Sequence, residues 1–250
     1  IALSFGSQIE IHNLKKVNLK GGTLIDGFPS GGLTNSILSM CFMNSVPNDL
    51  VSVMDSPIFP SICVVHNGIA NFPTRIYANE DLKVAFLISE LNLDPSIYYY
   101  VSKTILQWAG ENGCELVISA ATISDEESDS SQKRDQPHEV YGVASTERAK
   151  DKMRNTEMIR ELTSGSVSGI PAMLLNEGTI RHFDVVVLLG KLDQDASEFR
   201  PAAAVSEAIM RLVPGLSCDT RSLLTKAKTF EQDLRKLRTE GKSSAINLYR

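Results

Sequence analysis

The sequence predicts a three-layer α/β/α sandwich built on a mostly parallel sheet, and three observations predict it. Short apolar runs bounded by turn residues alternate with longer stretches of helical periodicity along the chain. Two runs, KVAFLISEL and DVVVLLGKL, are apolar almost without a break, as strands covered on both faces are. With 250 residues the chain can form one large domain that buries about 70 to 75 % of its unfolded surface. No internal repeat or linker interrupts it, so residues 1–240 read as a single α/β domain and 241–250 as a flexible tail.

The elements follow in order. TLIDGF (23–28) reads as a buried strand running through the Gly-rich turn GFPSGG into a helix with Leu33, Ile37 and Cys41 on one face. LVSVMD and SICVVH are further strands. Asn67-Gly68 is the pair a two-residue hairpin turn prefers, so SICVVHNGIANFPTRIYA is expected as one β-hairpin whose second strand Pro73 weakens or places at an edge. KVAFLISEL belongs inside the sheet. Asp94-Pro95 supplies a cap and a first-turn proline for a helix whose apolar positions are Ile97, Val101, Ile105 and Trp108, with Gly113 closing it.

CELVISAATI is the next buried strand. Residues 124–139, SDEESDSSQKRDQPHE, lack apolar periodicity and read as a mobile surface loop. EVYGVAS reads as a strand, the charged stretch 146–162 as one helix, and SVSGIPAMLLNEGTIR as a segment largely helical after Pro171. DVVVLLGKL is the last central strand, followed by a helix from about Pro201 to Leu212. A final helix, about 220–240, carries Leu223, Ala227, Phe230, Leu234 and Leu237 on one face, either to pack on its own domain or to pair between subunits; Gly241 ends it.

Composition excludes several classes. A net charge of −5 opposes general nucleic-acid binding, which normally shows a basic excess. No apolar stretch reaches the roughly 18 residues of a membrane span, and IALSFGSQIE lacks the basic start and apolar core of a signal peptide, so a cytoplasmic protein without membrane contact is expected. Cys41, Cys63, Cys114 and Cys218 lie far apart, never as C-x-x-C, and are expected as reduced thiols in a reducing compartment.

Catalytic patterns start and fail. Gly165-Ser166-Val167-Ser168-Gly169 matches G-x-S-x-G, but RNTEMIRELT before it is helical in pattern rather than a strand, and the acid and histidine that follow, Glu177 and His182, are too close together for a triad. Small residues here serve close backbone packing. The turn Gly27, Ser30, Gly31, Gly32 follows a strand and opens a helix, a geometry that can hold an anion on backbone N–H groups. It has neither the G-K-[ST] of a phosphate loop nor G-x-G-x-x-G. An α/β enzyme of phosphorylase or ligase type using this loop is the alternative function. His12, His66, His138 and His182 are scattered, so no metal site is expected, nor any cofactor. Asp26 and Glu90 fall near the carboxyl ends of expected parallel strands, where catalytic groups often sit, but no base or nucleophile converges on them.

The chain as given ends SSAINLYR. Leu248 and Tyr249 place two large apolar groups in a polar tail, either folded back on the domain or offered to another protein together with the carboxylate of Arg250. The segments LIDGFPSGGL, VVHNGIANFPTRIY, VYGVAST, GSVSGIPAMLLNEG and VVVLLGKL, in that order over residues 20–240, resemble the proteasome assembly chaperone 2 family, particularly its archaeal members. That resemblance implies a phosphorylase- or hydrolase-like α/β fold, no catalysis, and small homo-oligomers. It also gives the tail a meaning. Leu248-Tyr249-Arg250 resembles the hydrophobic-tyrosine-any triplet by which such proteins enter the spaces between proteasome α subunits, where a lysine pairs with the terminal carboxylate. The resemblance departs at PSGGLTN, at the 124–139 loop and at KLDQDASEF, so it lends no small-molecule site.

Overall fold

The computed structural model describes residues 9–29, 32–124, 140–192 and 197–226. The strands are β1 (Glu10–Asn13), β2 (Gly22–Ile25), β3 (Asp49–Asp55), β4 (Val64–His66), β5 (Ile69–Asn71), β6 (Thr74–Asn79), β7 (Val84–Ser89), β8 (Cys114–Ser124), β9 (Val140–Ala144), β10 (Ile159–Glu161) and β11 (Asp184–Leu192). The helices are α1 (Thr34–Ser45), α2 (Tyr98–Glu111), α3 (Glu147–Arg154), α4 (Gly169–Arg181) and α5 (Phe199–Leu212).

Among the described residues, nine strands form one sheet in the order β1-β3-β6-β7-β2-β8-β11-β9-β10. The centre, β7-β2-β8-β11, is parallel. On one side β1, β3 and β6 join it antiparallel; on the other β9 runs antiparallel to β11, with β10 parallel to β9. Alternate residues of the central strands feed two cores. Val185, Val187 and Leu189 pack with Val101, Ile105, Ile170 and Leu174 of α2 and α4. Val186 and Leu188 pack with Leu38 and Phe42 of α1, Ala149 and Met153 of α3, and Val205 and Ala208 of α5. Burial on both faces is why these strands are apolar without alternation.

Three expectations need correction. The charged stretch 146–162 is not one helix: α3 stops at Arg154 and the chain returns as the edge strand β10. Its charges are paired by that return, since the Glu161 carboxylate lies 2.8 Å from Lys150 Nζ and 3.0 Å from Arg154 Nη2. The hairpin is real but short. Asn67 (φ 50°) and Gly68 (φ 77°) make its turn, yet Pro73 separates β5 from β6, which joins the main sheet instead. Finally, Cys41 and Cys218 are not separate thiols but a disulfide, because α1 and the segment after α5 cover the same sheet face and bring their Cα atoms to 5.4 Å.

The expected final helix is described over 220–226, with Leu223 buried; the rest of its stripe lies outside the described residues, as do 125–139 of the expected loop and the tail. No helix of the described residues is long and apolar enough to cross a membrane.

At the amino end of β11, Asp184 is a buried carboxylate that receives Thr146 Oγ1 (2.5 Å), Arg148 Nε (2.7 Å) and Lys152 Nζ (3.3 Å). Burial pushes its pKa up, but the hydrogen bonds of Arg148 and Thr146 and the charges of Arg148 and Lys152 outweigh it and hold the group below the ordinary 3.8. A depressed carboxylate pKa stabilises the fold in full above the unfolded value, and that contribution is lost as pH falls through the folded one. Asp184→Asn is therefore expected to cost about 1 to 3 kcal/mol at pH 7, with a smaller difference from the parent at pH 3. Urea unfolding at both pH values checks this; an equal difference at both would show that the ionised carboxylate is not the stabilising species.

Candidate functional site

The carboxyl end of β2, the middle of β8 and the start of α1 meet where the sequence placed a possible anion loop. Asp26 leaves β2 fully buried. Its carboxylate accepts from Phe28 N (3.0 Å), Asn35 Nδ2 (2.8 Å) and Ser119 Oγ (2.7 Å). Asn35 completes the brace, its Oδ1 accepting from Ala120 N (3.0 Å) and its Nδ2 also donating to Phe28 O (3.1 Å). Burial pushes the Asp26 pKa up, opposed by the bonds from Phe28 N, Ser119 and Asn35. Every one of these partners is part of the loop, α1 or β8. The group fastens the turn.

Gly27 is held by contact as well. A Cβ there would lie 2.2 Å from the Leu87 carbonyl oxygen and 2.8 Å from Ser39 Cβ. Gly32 has φ 145°, and a Cβ would lie 2.6 Å from Glu198 Oε2. That carboxylate, one residue before α5, accepts from Leu33 N, from Thr34 N (2.7 Å) and from Thr34 Oγ1 (3.1 Å). The first N–H groups of a helix lack intrahelical partners and favour negative charge. Here the chain supplies the anion itself, so an added one would have to displace Glu198. Ser30 and Gly31 lie outside the described residues. Nothing in the sequence near either partner announced the contact, since Glu198 and Leu33 are 165 residues apart.

The other expected chemistry is dispersed. Ser168 stands at the start of α4, preceded by the strand β10 and a loop rather than by the helix the sequence suggested. Glu177 lies on α4 in an ion pair with Arg181, and His182 ends the helix in the left-handed conformation. At about 1.5 Å per residue, the helix separates His182 from Ser168 by about 20 Å. Glu90 follows β7 and pairs with Arg75 of β6. Among the described residues no group of three His, Cys, Asp or Glu side chains is placed to hold a metal ion. Leu248, Tyr249 and Arg250 lie outside the described residues.

Residues 24–238 match the model of the PAC2 family. No curated protein sequence matches the chain. Among solved structures, it is similar to Pyrococcus furiosus PbaA, described as an archaeal homolog of proteasome-assembly chaperone, with TM-score 0.77 and 24% identity over 97% of each chain. It is similar also to PbaB of the same organism, described as an archaeal proteasome activator, with TM-score 0.72 and 19% identity over 92% of this chain and 99% of PbaB. A PAC2 family protein from Streptomyces avermitilis follows at TM-score 0.60 and 16% identity, over 86% of this chain and 95% of the other. At these identities the structural likenesses speak for the fold.

Proposed function

The chain belongs to the PAC2 family, and from that premise we propose that it is a non-catalytic proteasome assembly chaperone or adaptor of the cytoplasm. It binds proteasome α subunits or the α ring through Leu248, Tyr249 and Arg250, and it does so as a homo-oligomer. The observation that carries this reading is the family match over residues 24–238, joined to a fold similar to a proteasome-assembly chaperone homolog and a proteasome activator. The engagement of the α1 amino terminus by Glu198 supports it against the enzyme alternative.

The tail mechanism has a definite energetic shape. Residues 242–250 span at most about 30 Å when extended at about 3.3 Å per residue. Burying Leu248 and most of Tyr249 contributes about 1.5 to 3 kcal/mol each, and a partly exposed carboxylate-lysine pair about 0 to 1 kcal/mol. Ordering the tail costs about 1 to 2 kcal/mol per fixed residue. One tail binds weakly. Several on one oligomer turn later contacts into intramolecular ones and can raise avidity a hundredfold or more where their spacing matches the target.

The test is capture of purified α rings by the full chain, by Tyr249→Ala and by a form lacking Leu248 to Arg250, with intact mass establishing that the native protein ends at Arg250. Both alterations are expected to weaken capture at least tenfold while leaving the melting temperature unchanged. Equal capture by all three forms would overturn the tail reading, and absence of capture by the intact chain would overturn the proteasome reading as well.

A further inference from the structure

We propose that the β4–β5 hairpin and the segment leading into it are the surface through which copies of this chain associate, an inference that rests on the multi-copy reading above and names its contact. The sequence marks the region first. From Ser56 to Thr74 there is not one Asp, Glu, Lys or Arg, in a chain of which such residues make up 22%. Depletion of charge is what distinguishes the buried centre of a protein interface from ordinary surface.

Among the described residues, the fold then leaves the hairpin part of this segment exposed. The hairpin is a two-stranded sheet of its own, and neither strand pairs with the nine-stranded sheet. Val65 pairs with Ala70, and Ile69 with His66, so Val65 and Ile69 project from opposite faces of the ribbon. Both are 68% exposed, and Ile62 (49%) and Phe72 (44%) extend the apolar surface toward the base. Beside that base lies a cavity of about 490 Å³ whose lining is largely apolar, with Pro57, Phe59, Ile62, Ala70 and Phe72, and which has the exposed Asp55 as its one carboxylate. The base itself is fixed: Arg75 donates to the Phe72 carbonyl and to the Glu90 carboxylate, and Glu90 N donates to Pro73 O (3.1 Å). A free two-stranded ribbon is marginally stable in water, and apolar patches of this kind mark interaction sites.

The occupant is a second copy. The patch carries both halves of a contact, projecting Val65 and Ile69 and an apolar hollow, so two copies related by a two-fold axis can exchange them. Unpaired strand edges add self-complementary main-chain groups. Charge points the same way. In a contact between identical patches every charge near the axis faces its own kind, and copies of net charge −5 repel one another; a segment without charged side chains from Ser56 to Thr74 lowers that penalty locally, with Asp55 left to the cavity and Arg75 paired to Glu90. A different partner chosen by charge would need charged residues here, and the segment has none.

The test is the solution mass of the full-length protein over a concentration series, for the parent, Val65→Asp and Ile69→Asp, with Cys63 as a second probe. Cys63 is exposed, whereas Cys41 and Cys218 are bridged and Cys114 is buried, so a maleimide added without reductant reads Cys63. The parent is expected to be oligomeric, the two variants to associate at least tenfold more weakly at unchanged melting temperature, and Cys63 labelling to quicken as the parent is diluted. Should either variant fail to fold, the dilution dependence of labelling in the parent decides alone. A monomeric parent, or an oligomer indifferent to both substitutions with labelling independent of concentration, overturns the inference. Variants that keep the parent mass but lose α-ring capture would assign the hairpin to the ring and overturn it too, whereas loss of self-association with residual tail-dependent capture supports it and leaves the tail reading standing.

Discussion

Gly27→Ala is expected to remove about 3 kcal/mol or more of stability and to leave little soluble protein. The added methyl would lie 2.2 Å from the carbonyl oxygen of Leu87 in β7 and 2.8 Å from Ser39 Cβ in α1, distances that no real Cβ tolerates. Relief requires a shift of the loop, the strand or the helix, and all three are tied. Asp26 N donates to Ile118 O (2.8 Å), Ser39 Oγ to Asp26 O (2.9 Å) and Ser36 Oγ to Gly27 O (3.0 Å). Overpacking of a fixed core usually costs about 1 to 3 kcal/mol, and a clash with backbone stands at the upper end. Gly68→Ala is the control. It has φ 77° with nothing within 4 Å of its Cβ position, so it should cost only about 1 kcal/mol of turn strain. Urea midpoints of the two variants decide the matter, and a Gly27→Ala protein within about 0.5 kcal/mol of the parent would show that the loop is not locked.

This bears on function because a Gly-rich turn between strand and helix invites a phosphate-binding reading. Gly27 is required by contact with β7 and α1, and Gly32 by its backbone angle and by the Glu198 carboxylate. Packing therefore accounts for both glycines without a ligand.

Legibility in the sequence followed the range of the interactions. β7 and β11 were readable because burial on both faces leaves an uninterrupted apolar run, and the hairpin turn because Asn67-Gly68 is a local backbone requirement. The 146–162 stretch misled because regularly spaced charges suit a helix as well as they suit ion pairs across the return from α3 to β10. Glu198 at the head of α1 and the Cys41–Cys218 bond join positions more than 160 residues apart, and no local pattern encodes such meetings. The exposed hairpin lay between the two. Its lack of charge was in the sequence, but only the departure of β6 into the main sheet shows that, among the described residues, the hairpin strands stand apart and exposed.

Opening the Cys41–Cys218 bridge is expected to lower the melting temperature by about 5 to 15 °C without unfolding the protein at 25 °C. The bond closes a loop of sequence separation 177. Chain entropy for a loop of that length gives about 5 kcal/mol, native disulfides commonly deliver about 2 to 4, and in a chain of this size each kcal/mol moves the midpoint by about 2 to 4 °C. The contacts around the bridge are expected to survive its reduction. Leu38 and Phe42 of α1 stay packed with Val205 and Ile209 of α5, and Leu223 remains beside Ile37, Met40 and Phe199 around a cavity of about 420 Å³. The bridge therefore restrains the described carboxyl-terminal segment, which ends at Lys226, rather than whether the domain folds. Calorimetry of the parent with and without dithiothreitol, beside Cys41→Ser, separates the cases: the parent should fall to the level of the variant on reduction, and the variant should not respond. A parent indifferent to reductant, or a variant as sensitive as the parent, would show that this bond does not hold the carboxyl-terminal segment.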